Sequence, residues 1–167
     1  GTHTMTVKPS RYTDGVGLRA YVVVTVQSGN PASTPVVQST TVYTNSAGNG
    51  SRQFGATINF TAGGTNIPQV CKIAHSGVAA NNYGFFLPLA AGDVGIQSVQ
   101  TFQLSTAYTT ATTVTAALVI VKPLATIPVV AASVAGERNF MTQIPSFPRI
   151  YDNACLNILQ FAGAATA

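Results

Sequence analysis

Residues 20–27 read AYVVVTVQ and residues 28–31 read SGNP, and this run followed by a turn decides the fold class. Val and Thr favour strands because their branched side chains pack well on a pleated surface. Gly29 and Pro31 supply turn geometry rather than strand geometry. The pattern predicts a strand over residues 20–27 that ends at this turn.

A second stretch predicts a β-hairpin. Residues 36–44 and 53–61 flank a loop whose residues tolerate positive φ, as hairpin turns require; it reads Asn45-Ser46-Ala47-Gly48-Asn49-Gly50. In residues 53–61 apolar and polar side chains alternate, which indicates a strand with one face on the core. The apolar members are Phe54, Ala56, Ile58 and Phe60.

Further strands are predicted at residues 70–75, 83–89, 96–105, 114–122 and 155–161. In residues 96–105, strict alternation places Ile96 and Phe102 on one face and Val99 on the other. Residues 114–122 read VTAALVIVK, a nearly continuous apolar run that suits a strand buried on both faces or a central strand. Pro123 ends that strand, because proline cannot donate to a ladder.

The expected fold is all-β: an antiparallel β-sandwich or jelly roll with about eight strands and little helix. No run of a dozen residues shows a convincing helical period. Residues 1–167 are expected to form a single domain. An extended N-terminal arm at 1–19 and a Pro-rich C-terminal segment at 123–154 are expected at its two ends.

Charge is scarce in this chain. Charged residues make up 7% of it, against about 25% in ordinary soluble domains. Such a surface gives little electrostatic repulsion between copies, so the composition favours a chain that sits in an assembly. The net charge of +4 comes from scattered cations and few acids. Nucleic acid is not an expected partner, because nothing clusters the cations on one face.

Membrane insertion and secretion are not expected either. The apolar stretch 115–136 is interrupted by Lys122, Pro123 and Pro128, and a span needs about 20 uninterrupted apolar residues. No charged region followed by an apolar region opens the chain, so no signal peptide is expected. The start at Gly1 suggests processing or trimming.

Candidate chemical groups are few. Cys71 and Cys155 fit no metal spacing; two buried thiols are favoured over a disulfide. His75 adjoins Ser76, but no acid lies nearby in sequence to orient the imidazole. Asp93 lies between glycines and is expected to hydrogen-bond its own turn backbone rather than a metal ion.

No catalytic, cofactor-binding or metal-binding residue is therefore predicted, and the chain is not expected to be an enzyme. Gly15-Val16-Gly17 lacks the further glycine and helix of a dinucleotide loop. The six tyrosines could include a sugar-stacking platform, but most are expected in the core or at interfaces.

Three segments carry a resemblance. Residues 91–99 read AGDVGIQSV, residues 121–128 read VKPLATIP, and residues 145–156 read PSFPRIYDNACL. Their order and content resemble structural proteins of tailed-bacteriophage particles, in which a β-rich domain carries similar motifs. The resemblance covers about the C-terminal half of the chain.

The resemblance implies a virion protein, assembled in the bacterial host cytoplasm, that works by contact. A capsid decoration or cement role is favoured, with head-fibre, neck and tail roles open. The expected partners are further copies of the chain, a trimer above all, and the major capsid or other virion proteins. The alternative is a host-adhesion or carbohydrate-binding module of a fibre, neck or tail component.

Overall fold

The structure is a computed structural model, and it describes residues 2–27, 36–37, 41–54, 57–59, 69–70, 72–74, 84–103, 114–127, 136–143 and 146–159. These residues form strands with one short helical turn. The elements are β1 (Thr2–Val7), β2 (Arg19–Gln27), β3 (Val36–Val37), β4 (Val42–Asn45), β5 (Arg52–Gln53), β6 (Thr57–Asn59), β7 (Gln69–Val70), β8 (Lys72–Ala74), β9 (Ile96–Gln103), β10 (Val114–Val121) and α1 (Phe140–Gln143).

Every pairing between described strands is antiparallel. One sheet has the order β1-β9-β4-β5, a second has β10-β2-β7, and a third has β3-β6-β8. The prediction of a nearly all-β chain is confirmed. An eight-strand sandwich or jelly roll is not established by these sheets and stays a proposal, as do the single domain and its terminal segments. Residues 2–7 of the expected arm 1–19 form β1, which pairs with β9.

The predicted strand over residues 20–27 is present as β2, and the predicted hairpin is also confirmed. Val42 lies opposite Gln53 and Tyr43 opposite Arg52, and farther from the loop Val36 lies opposite Ile58. Two residues of the connection adopt positive φ: Gly48 at 84° and Ser51 at 57°. Glycine adopts this conformation without steric cost, so Gly48 suits its place in the turn.

The predicted strand at residues 96–105 is present as β9, but its predicted faces are wrong. Ile96, Val99 and Phe102 are all buried. The register of β9 shifts against β1 and also against β4. A β-bulge adds a residue to one strand and re-aims the side chains beyond it, so strict alternation fails here.

The buried core lies between β9, β4 and β2. Tyr43, Ile96, Val99 and Val22 are fully buried, and Leu87 is 1% exposed. Aromatic contact adds to this packing, because the Tyr43 and Phe54 ring centroids are 4.4 Å apart. Five further apolar residues pack on the core from its edge: Tyr12, Leu89, Ala116, Leu118 and Ile120.

The predicted strand at residues 114–122 is present as β10, and among the described residues it is neither a central strand nor fully buried. Among the described strands it pairs with β2 alone and stands at the outside of its sheet. Its side chains from Ala116 to Val121 are only partly buried. A nearly continuous apolar run does not separate a central strand from an outer one, because the sequence does not say how many neighbours pair with it.

Three other strand predictions fare differently. The predicted strand at residues 70–75 is present only as the short β7 and β8. Residues 84–89 and 155–159 form no strand, so those two predictions are wrong over these residues. In residues 84–89, the Leu87 N–H donates to the Ala20 carbonyl, and this contact fixes the segment on β2 without a ladder.

Two glycines allow a close backbone crossing beside the core. A Cβ on Gly95 would lie 2.0 Å from the Gly15 carbonyl oxygen, and one on Gly15 would lie 2.6 Å from the Gln97 nitrogen. Val16 and Gly95 form an antiparallel bridge, and the Gly17 N–H donates to the Val94 carbonyl at 3.0 Å. Only glycine permits such an approach, so Gly15-Val16-Gly17 serves as a backbone contact point.

Candidate functional site

Asp93 is the centre of a cluster of polar side chains that lies beside the β4–β5 hairpin. Its carboxylate accepts from the Tyr43 hydroxyl at 2.5 Å, from Asn45 Nδ2 at 2.7 Å and from Arg52 Nε at 3.0 Å. We call these four residues the Asp93 hub. The expectation that the Asp93 side chain bonds its own turn is wrong: the turn is closed by its backbone N–H, which donates to the Ala90 carbonyl.

The hub follows from the strand geometry. Tyr43 and Asn45 are two residues apart on β4 and therefore project from the same face. Arg52 lies opposite Tyr43 across the hairpin. Asp93 reaches them from a turn that contains Gly92 at a φ of 84°. The hairpin thus presents three donors to one carboxylate carried on a separate loop.

The electrostatics of the hub favour an ionised Asp93. The hydrogen bond from Arg52, followed by those from Tyr43 and Asn45, lowers the pKa of Asp93 from 3.8 to about 2. Burial, followed by the hydrogen bond to Asp93, raises the pKa of Tyr43. The hydrogen bond with Asp93 raises the pKa of Arg52. Near neutral pH the hub therefore holds an ion pair and a protonated phenol.

This arrangement is poorly suited to acid–base catalysis. A general acid or base works best when its pKa lies near the operating pH, and the pKa of Asp93 is far below neutrality. Both oxygens of Asp93 already accept hydrogen bonds, and its side chain is only 4% exposed. The Asp93 carboxylate therefore has few sites left to accept hydrogen bonds from a substrate. Its surroundings are those of a residue that stabilises the fold.

What the hub holds is the loop before β9. The Ala90 N–H donates to the Tyr43 hydroxyl at 2.8 Å, and Arg52 Nη2 donates to the Ala91 carbonyl at 3.3 Å. Asn45 Oδ1 accepts from the Ala47 and Asn49 N–H groups, which fixes the hairpin loop. The hub therefore joins two loops that are about 50 residues apart in sequence.

Beside these loops lies an exposed apolar pair. Val94 is 58% exposed and Val16 is 46% exposed. The glycine crossing brings their backbones together, since Gly17 donates to the Val94 carbonyl. The hub and the crossing thus place two exposed apolar side chains beside loops that are tied by hydrogen bonds.

A second cluster joins the N-terminal part of the chain to residues 146–159. The Tyr12 and Tyr151 rings meet edge to face, with their centroids 5.1 Å apart. Lys122 Nζ lies 5.5 Å from the centroid of the Tyr12 ring. The Arg149 guanidinium lies 4.9 Å from the centroid of the Tyr151 ring. The Tyr12 hydroxyl donates to the Arg149 carbonyl. We call these four residues the Tyr12 cluster. Cations over aromatic faces are attractive contacts, so the cluster anchors this segment.

Some of the other residues singled out by sequence lie outside the described residues, and the rest can be placed in the structure. His75 and Cys71 lie outside the described residues. Cys155 is exposed, has a free thiol and is not in a strand, so the expectation of a buried thiol is wrong for it. Tyr21 and Tyr43 are buried, as expected of most tyrosines, and Tyr12 and Tyr151 are partly buried.

Sequence reasoning missed Tyr43, Asn45 and Arg52 as partners of Asp93. A usable signal existed for their grouping, because the predicted hairpin loop begins at Asn45 and places Arg52 near the start of the returning strand. The approach of Asp93 from a distant loop had no signal in the sequence. The Tyr12 cluster was missed for the same reason.

Within the described ranges, no three His, Cys, Asp or Glu side chains come close enough together to hold a metal ion. A helix of the length and apolarity needed to cross a membrane is likewise not found in the part of the chain that the structure describes. Comparisons of the chain with protein-family models, with curated proteins and with solved structures found no match.

Proposed function

We propose that the chain is a structural virion protein of a tailed phage, in which it serves as a capsid decoration or cement protein that stabilises the particle by protein–protein contacts. The three segments that resemble phage structural proteins support this proposal. The low content of charged residues supports the proposal as well. A surface with few charges produces little electrostatic repulsion between molecules, so it opposes association only weakly.

The observation that carries the proposal is the distribution of exposed apolar side chains. Four of them fall within residues 147–158: Phe147 at 40%, Ile150 at 43%, Leu156 at 64% and Ile158 at 92%. Concentrated exposed apolar surface marks sites of protein contact more than single scattered residues do. The charged hub, by contrast, is used for internal bracing.

The Tyr12 cluster favours one second candidate, a host-adhesion or carbohydrate-binding module. Partly exposed aromatic rings beside Lys122 and Arg149 could contact an anionic sugar. The edge-to-face angle of 88° between the two tyrosine rings does not form a flat stacking platform, which makes this candidate weaker.

The test is co-sedimentation of the purified chain with phage particles depleted of their minor proteins, alongside binding to cell-surface polysaccharide. The proposed role predicts saturable binding to particles and none to polysaccharide. The variant Tyr151→Ala separates the candidates further. It should abolish polysaccharide binding if the second candidate is right.

A further inference from the structure

We infer that Asn49 is a site of spontaneous deamidation, at which the Gly50 nitrogen attacks the Asn49 side-chain carbonyl and converts the asparagine to aspartate or isoaspartate. The site lies in the loop that leads from Asn45 to Arg52, two members of the Asp93 hub. Asparagine is among the thermally labile residues of proteins. The reaction needs only water and is independent of the proposed function.

Sequence and exposure bring the reacting groups together. Asn49 is the only asparagine of the chain that is followed by glycine, and both Asn49 and Gly50 are exposed. Gly50 has no side chain, so nothing on its α-carbon crowds the approach of its nitrogen to a neighbouring carbonyl. Solvent also reaches the Asn49 amide, because that side chain is exposed. The nitrogen, the carbonyl and water therefore meet at one place in the loop.

A hydrogen bond within the loop favours the reactive form of the Gly50 nitrogen. The Asn45 N–H donates at 3.0 Å to the Asn49 carbonyl, which belongs to the same peptide unit as the Gly50 N–H. When that N–H loses its proton, negative charge spreads onto this carbonyl oxygen, and a hydrogen bond to a charged form stabilises it. Among the described residues the Gly50 N–H itself donates to no group, so no such bond has to break first.

Two other exposed asparagines, Asn153 and Asn157, lack this arrangement. The nitrogen after Asn153 is tied, because the Ala154 N–H donates to the Tyr151 carbonyl at 3.1 Å. The nitrogen after Asn157 is tied as well, because the Ile158 N–H donates to Asn157 Oδ1 at 2.8 Å. Each of these nitrogens also has a side chain on its α-carbon. Exposure alone therefore does not make them equivalent to Asn49.

Asn45, at the start of the same loop, is protected by the Asp93 hub. It is only 5% exposed, its Nδ2 donates to Asp93, and its Oδ1 accepts from two N–H groups of the loop. The nitrogen that would attack it is also tied, since the Ser46 N–H donates to the Gly95 carbonyl at 3.1 Å. The loop thus holds one asparagine that is fixed and one that is free to react.

The reaction has two steps and consumes one water. The deprotonated Gly50 nitrogen forms a bond to Cγ of Asn49, the bond from Cγ to Nδ2 breaks, and ammonia leaves with the proton that Gly50 lost to solvent. Water then opens the resulting five-membered imide. Cleavage of the bond between Cγ and nitrogen gives aspartate. Cleavage at the main-chain carbonyl gives isoaspartate, in which the chain runs through Cβ and Cγ.

The isoaspartate product should weaken the Asp93 hub. Its main chain is one atom longer, and loop length fixes the register of a hairpin. Arg52 follows the loop, lies opposite Tyr43 and holds Asp93 through an Nε–Oδ2 distance of 3.0 Å. A longer connection displaces Arg52 from this position. The aspartate product keeps the original chain length, so it should leave the hub intact.

The test stores the purified chain at mildly alkaline pH, which increases the deprotonated fraction of the Gly50 nitrogen, and follows each asparagine by peptide mass spectrometry. We expect Asn49 to gain the mass that converts an amide to a carboxylic acid, while Asn153 and Asn157 in the same digest keep their amides. Isoaspartate and aspartate have equal masses, so chromatography of the peptide against synthetic standards distinguishes them.

Gly50→Ala is the matched variant, because it keeps Asn49 and adds a methyl group beside the attacking nitrogen. That methyl would lie 3.3 Å from Gln100 Nε2, the end of a flexible side chain that can move aside. We expect the variant to lose its Asn49 amide severalfold more slowly than the parent. Asn49→Ser, a change at an exposed position, removes the reacting amide and should accumulate no acidic form in this loop.

The effect on the hub is measured by urea unfolding of the isoaspartate form, separated from the parent by ion exchange. Freshly prepared Asn49→Asp carries the same added charge without the longer chain. We expect the isoaspartate form to unfold at lower urea than the parent, and Asn49→Asp to stay close to the parent. A stored parent that keeps the Asn49 amide, or loses those of Asn153 and Asn157 equally fast, would overturn the inference. So would a Gly50→Ala variant that reacts at the parent's rate. An isoaspartate form as stable as Asn49→Asp would overturn the effect on the hub.

Discussion

At the residue scale, one carboxylate connects the β4–β5 hairpin to the loop before β9. The chain has four acidic residues, and Asp93 is almost fully enclosed by three donors. A buried ionised group is tolerated only when it is paired and hydrogen-bonded. The Asp93 hub meets that condition, and it does so by joining two loops.

The acid sensitivity of the protein should depend on Asp93. Its pKa in the folded state, about 2, lies below the ordinary 3.8, so its stabilisation is present above the ordinary value and lost as the pH falls through the folded value. Asp93→Asn should lower stability near neutral pH and flatten the loss of stability between about pH 4 and about pH 2. Urea unfolding across this range measures it.

Asp152→Asn is the control for that experiment, because Asp152 is exposed and forms no ion pair with the described residues. It should keep the pH profile of the parent. If Asp93→Asn also kept that profile, the hub would not be the source of the acid sensitivity.

The Tyr43 hydroxyl should contribute measurably to stability. It donates to the Asp93 carboxylate and accepts from the Ala90 N–H. Tyr43→Phe therefore removes one hydrogen-bond partner from the buried Asp93 carboxylate and one from the Ala90 N–H. We expect a loss of about 1–3 kcal/mol in the free energy of unfolding. Tyr21→Phe is the comparison, because the Tyr21 hydroxyl forms no hydrogen bond in the described part of the chain. Equal effects of the two substitutions would contradict the hub.

The glycine crossing should tolerate no side chain at Gly95. Gly95→Ala would force a methyl group to 2.0 Å from a backbone oxygen, and we expect a cost of about 3 kcal/mol or more. Gly48→Ala meets open space and should cost only the strain of a positive φ, about 1–2 kcal/mol. Thermal unfolding of both variants checks that Gly95→Ala lowers stability more than Gly48→Ala does. A milder Gly95→Ala would mean that the two backbones can separate.

Residue types alone predicted part of this site. The isolation of Asp93 between glycines identified a turn, and the hairpin prediction brought residues 36–44 and 53–61 together, but it did not identify Tyr43, Asn45 and Arg52 as partners of Asp93. The meeting of Asp93 with Tyr43 depends on tertiary packing across 50 residues, for which local pattern carries no information. Cys155 shows the same limit: free cysteines are often buried as small hydrophobic residues, yet Cys155 is exposed and residues 155–159 form no strand.

At the scale of elements, the strands that the sequence predicts best are those with a clear β-branched run. β2 and the β4–β5 hairpin lie where they were expected. The predicted faces of β9 were wrong, and among the described strands β10 is an outer strand, because bulges and the number of neighbouring strands are set by partners distant in sequence. Residues 84–89 are aromatic and apolar, yet they pack as an irregular segment.

The rate of amide hydrogen exchange in each strand should depend on how many neighbouring strands pair with it. β2 lies between β10 and β7, and β9 lies between β1 and β4. Amides hydrogen-bonded on both sides of a central strand open only with larger unfolding events. We expect the slowest exchange in β2 and β9, and faster exchange in β1 at the outside of its sheet. Slower exchange in β1 than in β9 would contradict the described strand order.

At the scale of the whole molecule, 7% of the chain is charged, and among the described residues most of the exposed large apolar side chains lie along residues 147–158 and beside the glycine crossing. The hub ties the loops beside the glycine crossing, and the Tyr12 cluster anchors the part of residues 147–158 that contains Arg149 and Tyr151. Surfaces that are ordered before docking lose less entropy when they dock. This is the physical basis of the proposed virion role.

The most direct test of that role is a binding isotherm of the purified chain on phage particles depleted of minor proteins. The amount bound per particle is measured by sedimentation as the chain is added. The account predicts saturation at a fixed number of copies per particle and a particle that survives heating better when loaded. Binding that never saturates, or no binding at all, would contradict it.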